Sequence, residues 1–370
     1  MTPPEPRRVL IAVGSDLFMR DLALALLRRG WLPIIYAPQL IGAAEQLRRA
    51  TIPVVSDINA IGVRPDVIHG HHVLETLAAL AKFPDVPALF VCHDSLTWHS
   101  IPPRSRRIRT WVAVDRNCRD RMMIEHGIPE DAIHVLTNAI DLERFARRGP
   151  LPQKPRRALV FSNAASEAGF AAPIRTACER RGITLDLAGE SSGRPTNAPE
   201  TILPQYDLVF AKARCALEAA AVGAAVVVCD AAGLAGMVTT ESFDAMRQLN
   251  FGARLLRRDI TTETIGEAID RYDAADATAV SDRVRALAGV DLLAEQYIAL
   301  SEELCAVRDV VPPAEQLEDV ARTLASVAPR IYQQLGTPRT VMRLRRAIVN
   351  SRILAGPLKI VYRLRKRLRS

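Results

Sequence analysis

Glu218 stands alone in an otherwise almost uniformly apolar run, CALEAAAVGAAVVVCDAAGLAG (215 to 236). It follows the β-type run YDLVF (206 to 210) and the short loop AKAR, a pattern that predicts an early turn of the next helix. Ligands of open α/β sheets sit beyond the carboxyl ends of the strands, so an acid placed there faces the ligand side. Its carboxylate can accept hydrogen bonds from both hydroxyls of a ribose. Asp230 ends the next strand, and the small-residue loop AAGLAG, with Gly233 and Leu234, offers backbone N–H groups that phosphate or sugar oxygens can approach closely. The competing expectation is structural: an acid in a first helical turn gains about 0.3–1 kcal/mol from the helix dipole and does nothing else.

Five of the seven histidines, His69, His71, His72, His93 and His99, fall between residues 69 and 99. The HxHH spacing could ligate zinc, but no Cys or carboxylate stands at ligand spacing, and structural zinc sites close with four ligands. No metal is therefore expected. His71 ends the run DVIHG and His93 ends PALFVC, with Asp94 beside it, so both imidazoles reach the ligand side together with His72. There an imidazole can bond a sugar hydroxyl or shuttle a proton, and Asp94 can orient His93 or act as a base. For His71 and His72 the alternative is a strand-end histidine satisfied by backbone, and His69 is expected to be a structural strand residue. Gly14, after the first strand, lacks the GxGxxG of a dinucleotide fingerprint.

The elements that must position these groups are legible as alternating short β-branched runs and longer amphipathic segments. RVLIAVG (8 to 14), LFMRDLALALLRRG (17 to 30) and WLPIIYAP form a βαβ unit, and the alternation continues through AIHVLTNAI. Continuous apolar strands mark a parallel sheet covered on both faces. ARRGPLPQKPRR (146 to 157) interrupts the pattern with prolines, a glycine and charge, as an interdomain segment does. The alternation then restarts at RALVFSNA. The expected organisation is two Rossmann-like α/β domains, 1–148 and 157–309, facing across a cleft, followed by a helical extension, 312–370.

The 370 residues carry a formal charge of +8, yet ten Lys and Arg and no acid lie in residues 341–370, leaving 1–340 at 8 − 10 = −2. A basic amphipathic tail, LKIVYRLRKRLR, suits an anionic membrane surface. Nucleic acid is not expected as a partner, because the body is near neutral and no aromatic stacking pattern accompanies the arginines. Six scattered cysteines without a CxxC pair, no apolar leader and no membrane-length apolar run point to a reduced, cytoplasmic protein, at most peripheral on the inner face of the membrane.

Three stretches carry a family resemblance. LEAAAVGAAVVVCDAAGLAGMV, HGIPEDAIHVLTNAIDLERF (126 to 145) and DVIHGHHVLETLAAL (66 to 80) together resemble the retaining glycosyltransferases of family 4, which have the two-domain GT-B fold. The resemblance covers about residues 8–300. It implies transfer of a sugar from a nucleotide-sugar donor on the second lobe to a glycan or lipid-linked acceptor on the first, with no metal or other cofactor. Glu218 takes the place of the family's ribose-binding glutamate, His93 that of a histidine near donor sugar and acceptor, and Gly14 that of the acceptor-side glycine loop. Two features depart from the pattern: Phe210 replaces the other glutamate of the family's pair, and VFSNAASEAGF has Asn163 and Glu167 in place of an Arg/Lys phosphate clamp. Lys212 and Arg214 are the nearest substitutes for that clamp. The departures keep open a second expectation, a non-catalytic protein that binds a nucleotide sugar or glycan.

Overall fold

Strands such as Val9–Ala12 and Ala88–Cys92 are apolar at every position because helices cover both faces of their sheet, and the side chains are wholly buried. The computed structural model describes residues 5–13, 17–39, 44–307 and 311–335. Gly14 and the basic tail 341–370 lie outside the described residues.

The first lobe comprises β1 (Arg8–Ala12), α1 (Leu17–Arg28), β2 (Leu32–Tyr36), α2 (Ala44–Arg49), β3 (Val54–Val55), β4 (Val67–Gly70), α3 (Val73–Lys82), β5 (Ala88–Cys92), β6 (Ile108–Ala113), α4 (Arg116–His126) and β7 (Ile133–Val135). Its seven strands run parallel in the order β3-β2-β1-β4-β5-β6-β7. The second lobe comprises β8 (Arg157–Phe161), α5 (Ala171–Glu179), β9 (Thr184–Ala188), α6 (Pro199–Ile202), β10 (Leu208–Ala211), α7 (Ala213–Val222), β11 (Ala225–Asp230), β12 (Gly233–Met237), α8 (Phe243–Gln248), α9 (Thr262–Asp270) and α10 (Ala274–Leu287). Its sheet order is β12-β11-β10-β8-β9, parallel except for β12. The α/β class and the two Rossmann-like lobes expected from the sequence are present.

Packing divides the chain differently from the expected boundaries at 148 and 157–309. Ile140 and Phe145 already belong to the core of the second lobe. In the other direction, α11 (Val290–Ala306) leaves the second lobe and returns to the first, where Val290, Leu293, Ala294, Tyr297, Leu300 and Leu304 join its core. That spacing makes an amphipathic helix, and periodicity alone does not say which lobe the apolar stripe meets.

The extension starts with α12 (Pro313–Leu335), which docks on the first lobe through polar side chains. Thr323 Oγ1 accepts from the Arg104 backbone N–H at 2.8 Å, and Asp319 Oδ2 accepts from that of Arg106 at 2.8 Å. Val327 fills a small apolar contact with Val73 and Ile101. Because Asp319 is buried, removing its carboxylate strands the Arg106 N–H. Asp319→Ala is therefore expected to cost about 1–2 kcal/mol, seen as a lower urea midpoint together with faster proteolysis within α12.

Candidate functional site

The carboxyl ends of β8, β10 and β11 bring together Ser162, Lys212 and Asp230. Lys212 Nζ pairs directly with Asp230 Oδ2, and Ser162 Oγ lies 3.4 Å from Asp230 Oδ1. Asp230 also accepts from the Ala231 N–H at 2.6 Å. Asn163 is exposed one residue beyond Ser162, and the hydroxyl of Ser162 is the side chain that reaches this cluster. Sequence reading missed Ser162 because nothing in VFSNAA distinguishes it from a turn serine. Gly189 lets the end of β9 pass against it: a Cβ there would lie 2.0 Å from the Ser162 carbonyl oxygen, at a φ of +145°.

Lys212 immediately precedes α7, and Arg214 and Glu218 share the face of that helix four residues apart. Arg214 Nε donates to Glu218 Oε1 at 2.8 Å, and its Nη2 donates to Asp21 Oδ2 of α1 at 2.6 Å, crossing between the lobes. Asp21 is held in turn by Arg20, through Nε at 2.8 Å and Nη2 at 2.5 Å. Burial pushes the Glu218 carboxyl above its ordinary range even with Arg214 beside it. Burial opposes the charge on Arg214, but Glu218 and Asp21 outweigh it and hold the guanidinium protonated. Arg214 Nη1 is buried without a hydrogen-bond partner among the described residues.

Glu218 thus sits at the junction of the lobes, with its carboxylate engaged by Arg214. Two further expectations change. In AAGLAG only Ala231 and Ala232 form a turn, and the segment from Gly233 on is an antiparallel edge strand: the Leu234 side chain is in the core, its N–H donates to the Arg258 carbonyl at 2.8 Å, and its own carbonyl accepts from Arg258. A Cβ on Gly233 would lie 2.9 Å from that same Arg258 carbonyl. Gly233 and Leu234 therefore hold the edge of the sheet, and the Leu234 N–H has no capacity left for a phosphate. Phe210 lies within β10, wholly buried between Val160 and Val227, so its position presents no polar group to a ligand.

On the first lobe, His71 Nδ1 lies 2.8 Å from His93 Nε2, joining the ends of β4 and β5. His71 has no exposed surface and His93 is half-buried, so of the two only His93 is open to a ligand. The expectation that His71 itself touches an acceptor is corrected by this burial. His72 is half-buried, with its ring centroid 4.6 Å from that of His99. His69 binds Ser301 Oγ of α11 at 2.8 Å, a structural role as expected.

Asp94 builds the loop after β5. Its Oδ1 accepts from the N–H groups of Leu96 at 2.7 Å and Thr97 at 2.6 Å, and its Oδ2 from the hydroxyls of Thr97 and Ser100. Burial raises this carboxyl, but those hydrogen bonds outweigh it and leave it below its ordinary range. Arg121 of α4, itself buried, clamps the same loop through the carbonyls of Asp94 and Thr97. Among the described residues no group of three or more His, Cys, Asp or Glu side chains could hold a metal ion.

Further contacts close the lobes on one another. Asn250 Nδ2 donates to the Val114 carbonyl at 2.5 Å, Arg247 Nη2 to that of Asn138 at 2.5 Å, and Arg254 pairs with Asp120.

Two α/β lobes, each built on a largely parallel sheet, and a C-terminal helix that returns to the first lobe make up the GT-B architecture. Residues 14–144, within the first lobe, match the family model of Glycosyltransferase Family 4. No curated protein sequence matches the chain. The structure is similar to a glycosyltransferase from Rickettsia africae, with a TM-score of 0.61 and 13% identity over 81% of this chain and 99% of that one. It is also similar to Anabaena Alr3699/HepE in complex with UDP-glucose, with a TM-score of 0.55 and 14% identity over 80% of this chain and 100% of that one. The same Anabaena protein with UDP and glucose gives a TM-score of 0.56 and 12% identity over 82% and 100%.

Proposed function

We propose that this protein transfers a sugar from a nucleotide sugar held by the second lobe to a hydroxyl of a glycan or lipid-linked acceptor on the first. The observation that carries this reading is the position of Arg214, bonded at once to Glu218 and to Asp21 of the first lobe. A guanidinium suspended between two carboxylates at a lobe junction is a ready partner for a diphosphate, which offers it bidentate acceptors. When Arg214 turns to the donor, Glu218 is released to accept from the ribose hydroxyls. Lys212, held by Asp230 until then, adds the second cation that offsets charge on the departing diphosphate.

In this reading the bond from the sugar C1 to the diphosphate oxygen breaks, the acceptor oxygen bonds to C1, and the acceptor proton passes to the leaving phosphate. His93 lies on the acceptor side, and Asp94 acts by shaping the loop that carries it. The reaction retains anomeric configuration and needs no metal ion; NMR of the product anomer and unchanged turnover in EDTA are the tests of these two points.

The deciding experiment is a thermal-shift screen with nucleoside diphosphates and their sugar conjugates, since a ligand of the native state raises its stability. Glu218→Gln is expected to weaken donor binding about tenfold, roughly 1.4 kcal/mol, measured by calorimetry. If no nucleotide sugar shifts the melting curve, the reading fails. Phe210 and the engaged Glu218 favour a second reading, a non-catalytic binder; binding without diphosphate release would select it.

A peripheral position on the cytoplasmic face of a membrane is part of the proposal. Leu317, Leu324 and Tyr332 are exposed along α12, which leads toward the basic sequence 341–370. Truncation at residue 338 should then reduce binding to anionic liposomes. No helix among the described residues is long and apolar enough to cross a membrane.

A further inference from the structure

We propose that His71 is a positioning residue that fixes the tautomer of His93, keeping the proton of that ring on Nδ1 and leaving its Nε2 as an acceptor. The inference rests on the reading of His93 as the imidazole that meets the substrate.

The two ring centroids are 5.1 Å apart with an interplanar angle of 28°. That separation is too long for face-to-face contact and is what an end-on bond between Nδ1 and Nε2 at 2.8 Å produces. The His71 backbone is fixed on both sides. Its N–H donates to the Ala12 carbonyl at 2.9 Å, and the carbonyl of His72 accepts from Thr76 Oγ1 at 2.6 Å.

One proton occupies an N···N hydrogen bond, so only two arrangements exist for a neutral pair. If His93 donates from Nε2, His71 must carry its own proton on Nε2. That atom is buried and has no hydrogen-bond partner among the described residues. A stranded buried N–H forfeits its whole hydration, and such groups are rare in folded proteins. If His71 donates from Nδ1 instead, its Nε2 is left as a bare lone pair, the cheaper of the two defects. His71 stays neutral in either case, because burial, and after it the neighbouring His93, His69 and His72, hold it well below its ordinary range.

The chemistry of His93 follows from the second arrangement. Its Nε2 lone pair is used by His71, so the ring carries its proton on Nδ1 and acts there as a donor. Accepting a proton at Nε2 would set two N–H groups against each other, and passing one through to His71 would strand a proton on the buried Nε2. His93 therefore acts as a neutral hydrogen-bond donor toward a sugar or phosphate oxygen, and the acceptor proton leaves by another route. This replaces the proton-shuttle role that the sequence left open for His93.

The test is a long-range proton–nitrogen correlation spectrum of the full-length chain labelled with ¹⁵N-histidine, near neutral pH. The His71 and His93 rings are assigned from His71→Asn and His93→Gln. Both rings are expected to show the Nδ1–H pattern in the wild type. His71→Leu should return His93 toward the Nε2–H form that a free imidazole prefers. His71→Asn, whose amide N–H can donate from nearly the same place, should hold it in the Nδ1–H form. In transfer assays His71→Leu should lower kcat about tenfold or more, as loss of a partner that orients a histidine does elsewhere, with donor KM unchanged and most activity restored in His71→Asn. An Nε2–H signal for His93 in the wild type overturns the inference whatever the activity. Absence of sugar transfer with the Nδ1–H signal intact overturns the transferase reading and leaves the tautomer assignment standing.

Discussion

Arg214→Leu is expected to lower folding stability by about 3–5 kcal/mol, the range for removing one partner of a buried charge group, and to abolish donor binding. Leucine fills much of the space of the arginine stem, so the cost falls on the charges. Asp21 keeps Arg20 at 2.5 Å and, more distantly, Arg144 at 3.9 Å. Glu218 has no such reserve: among its described ion pairs Arg214 is the cation, and the side chain is only 6% exposed. The loss should therefore be specific to Glu218. In a double-mutant cycle, adding Glu218→Gln to Arg214→Leu should restore part of the lost stability, because it removes the stranded charge.

The pH dependence has the same sign. Burial already raises the Glu218 carboxyl, and without Arg214 it rises further. A carboxyl raised in the folded state is penalised above its folded pKa and relieved as pH falls through it, so the deficit of Arg214→Leu should shrink on acidification. Urea midpoints of the four proteins at two pH values check all of this. A deficit that neither Glu218→Gln nor acid reduces would mean that Arg214 acts by packing.

What the sequence disclosed and what it withheld divide along physical lines. Continuous apolar runs exposed both sheets, and position just after a strand gave the expectation that Glu218, His71 and His93 face the ligand side, because these signals are local. The pairing of Arg214 with Asp21 joins residues 193 positions apart, and no spacing rule reaches that far. α11 showed its stripe but not its partner. α12 hid its docking mode because Asp319 and Thr323 face inward while Leu317 faces out, reversing the usual pattern. β12 was concealed by its composition: Gly233 and Gly236 have positive φ, and glycine-rich segments normally read as loops. Asp94 looked like a partner for His93 because adjacency in sequence was the only geometry available, whereas its carboxylate turns back on its own loop.

Acidification from pH 6.5 to pH 5 is expected to cost about 3 kcal/mol of folding stability through His69 and His71 alone, shared equally between them. Both rings have essentially no contact with solvent, and burial is the first cause of their depressed values, about 3 for His69 and well below the ordinary range for His71. The unfolded chain binds a proton at each near pH 6.5, whereas the folded chain does not until far lower. A group depressed in the folded state contributes stability above its unfolded pKa and loses it as pH falls, at about 1.4 kcal/mol per unit once below that value. Glu218 and Glu75, raised by burial, work in the opposite direction as they protonate. The comparison must therefore be of slopes. His71→Asn and His69→Leu should each flatten the fall in stability between pH 6.5 and 5 by about 1 kcal/mol per pH unit, whatever each does to stability at neutral pH. Denaturant titrations at half-unit steps give those slopes, and slopes in both variants equal to that of the wild type would show that these rings take up protons without unfolding.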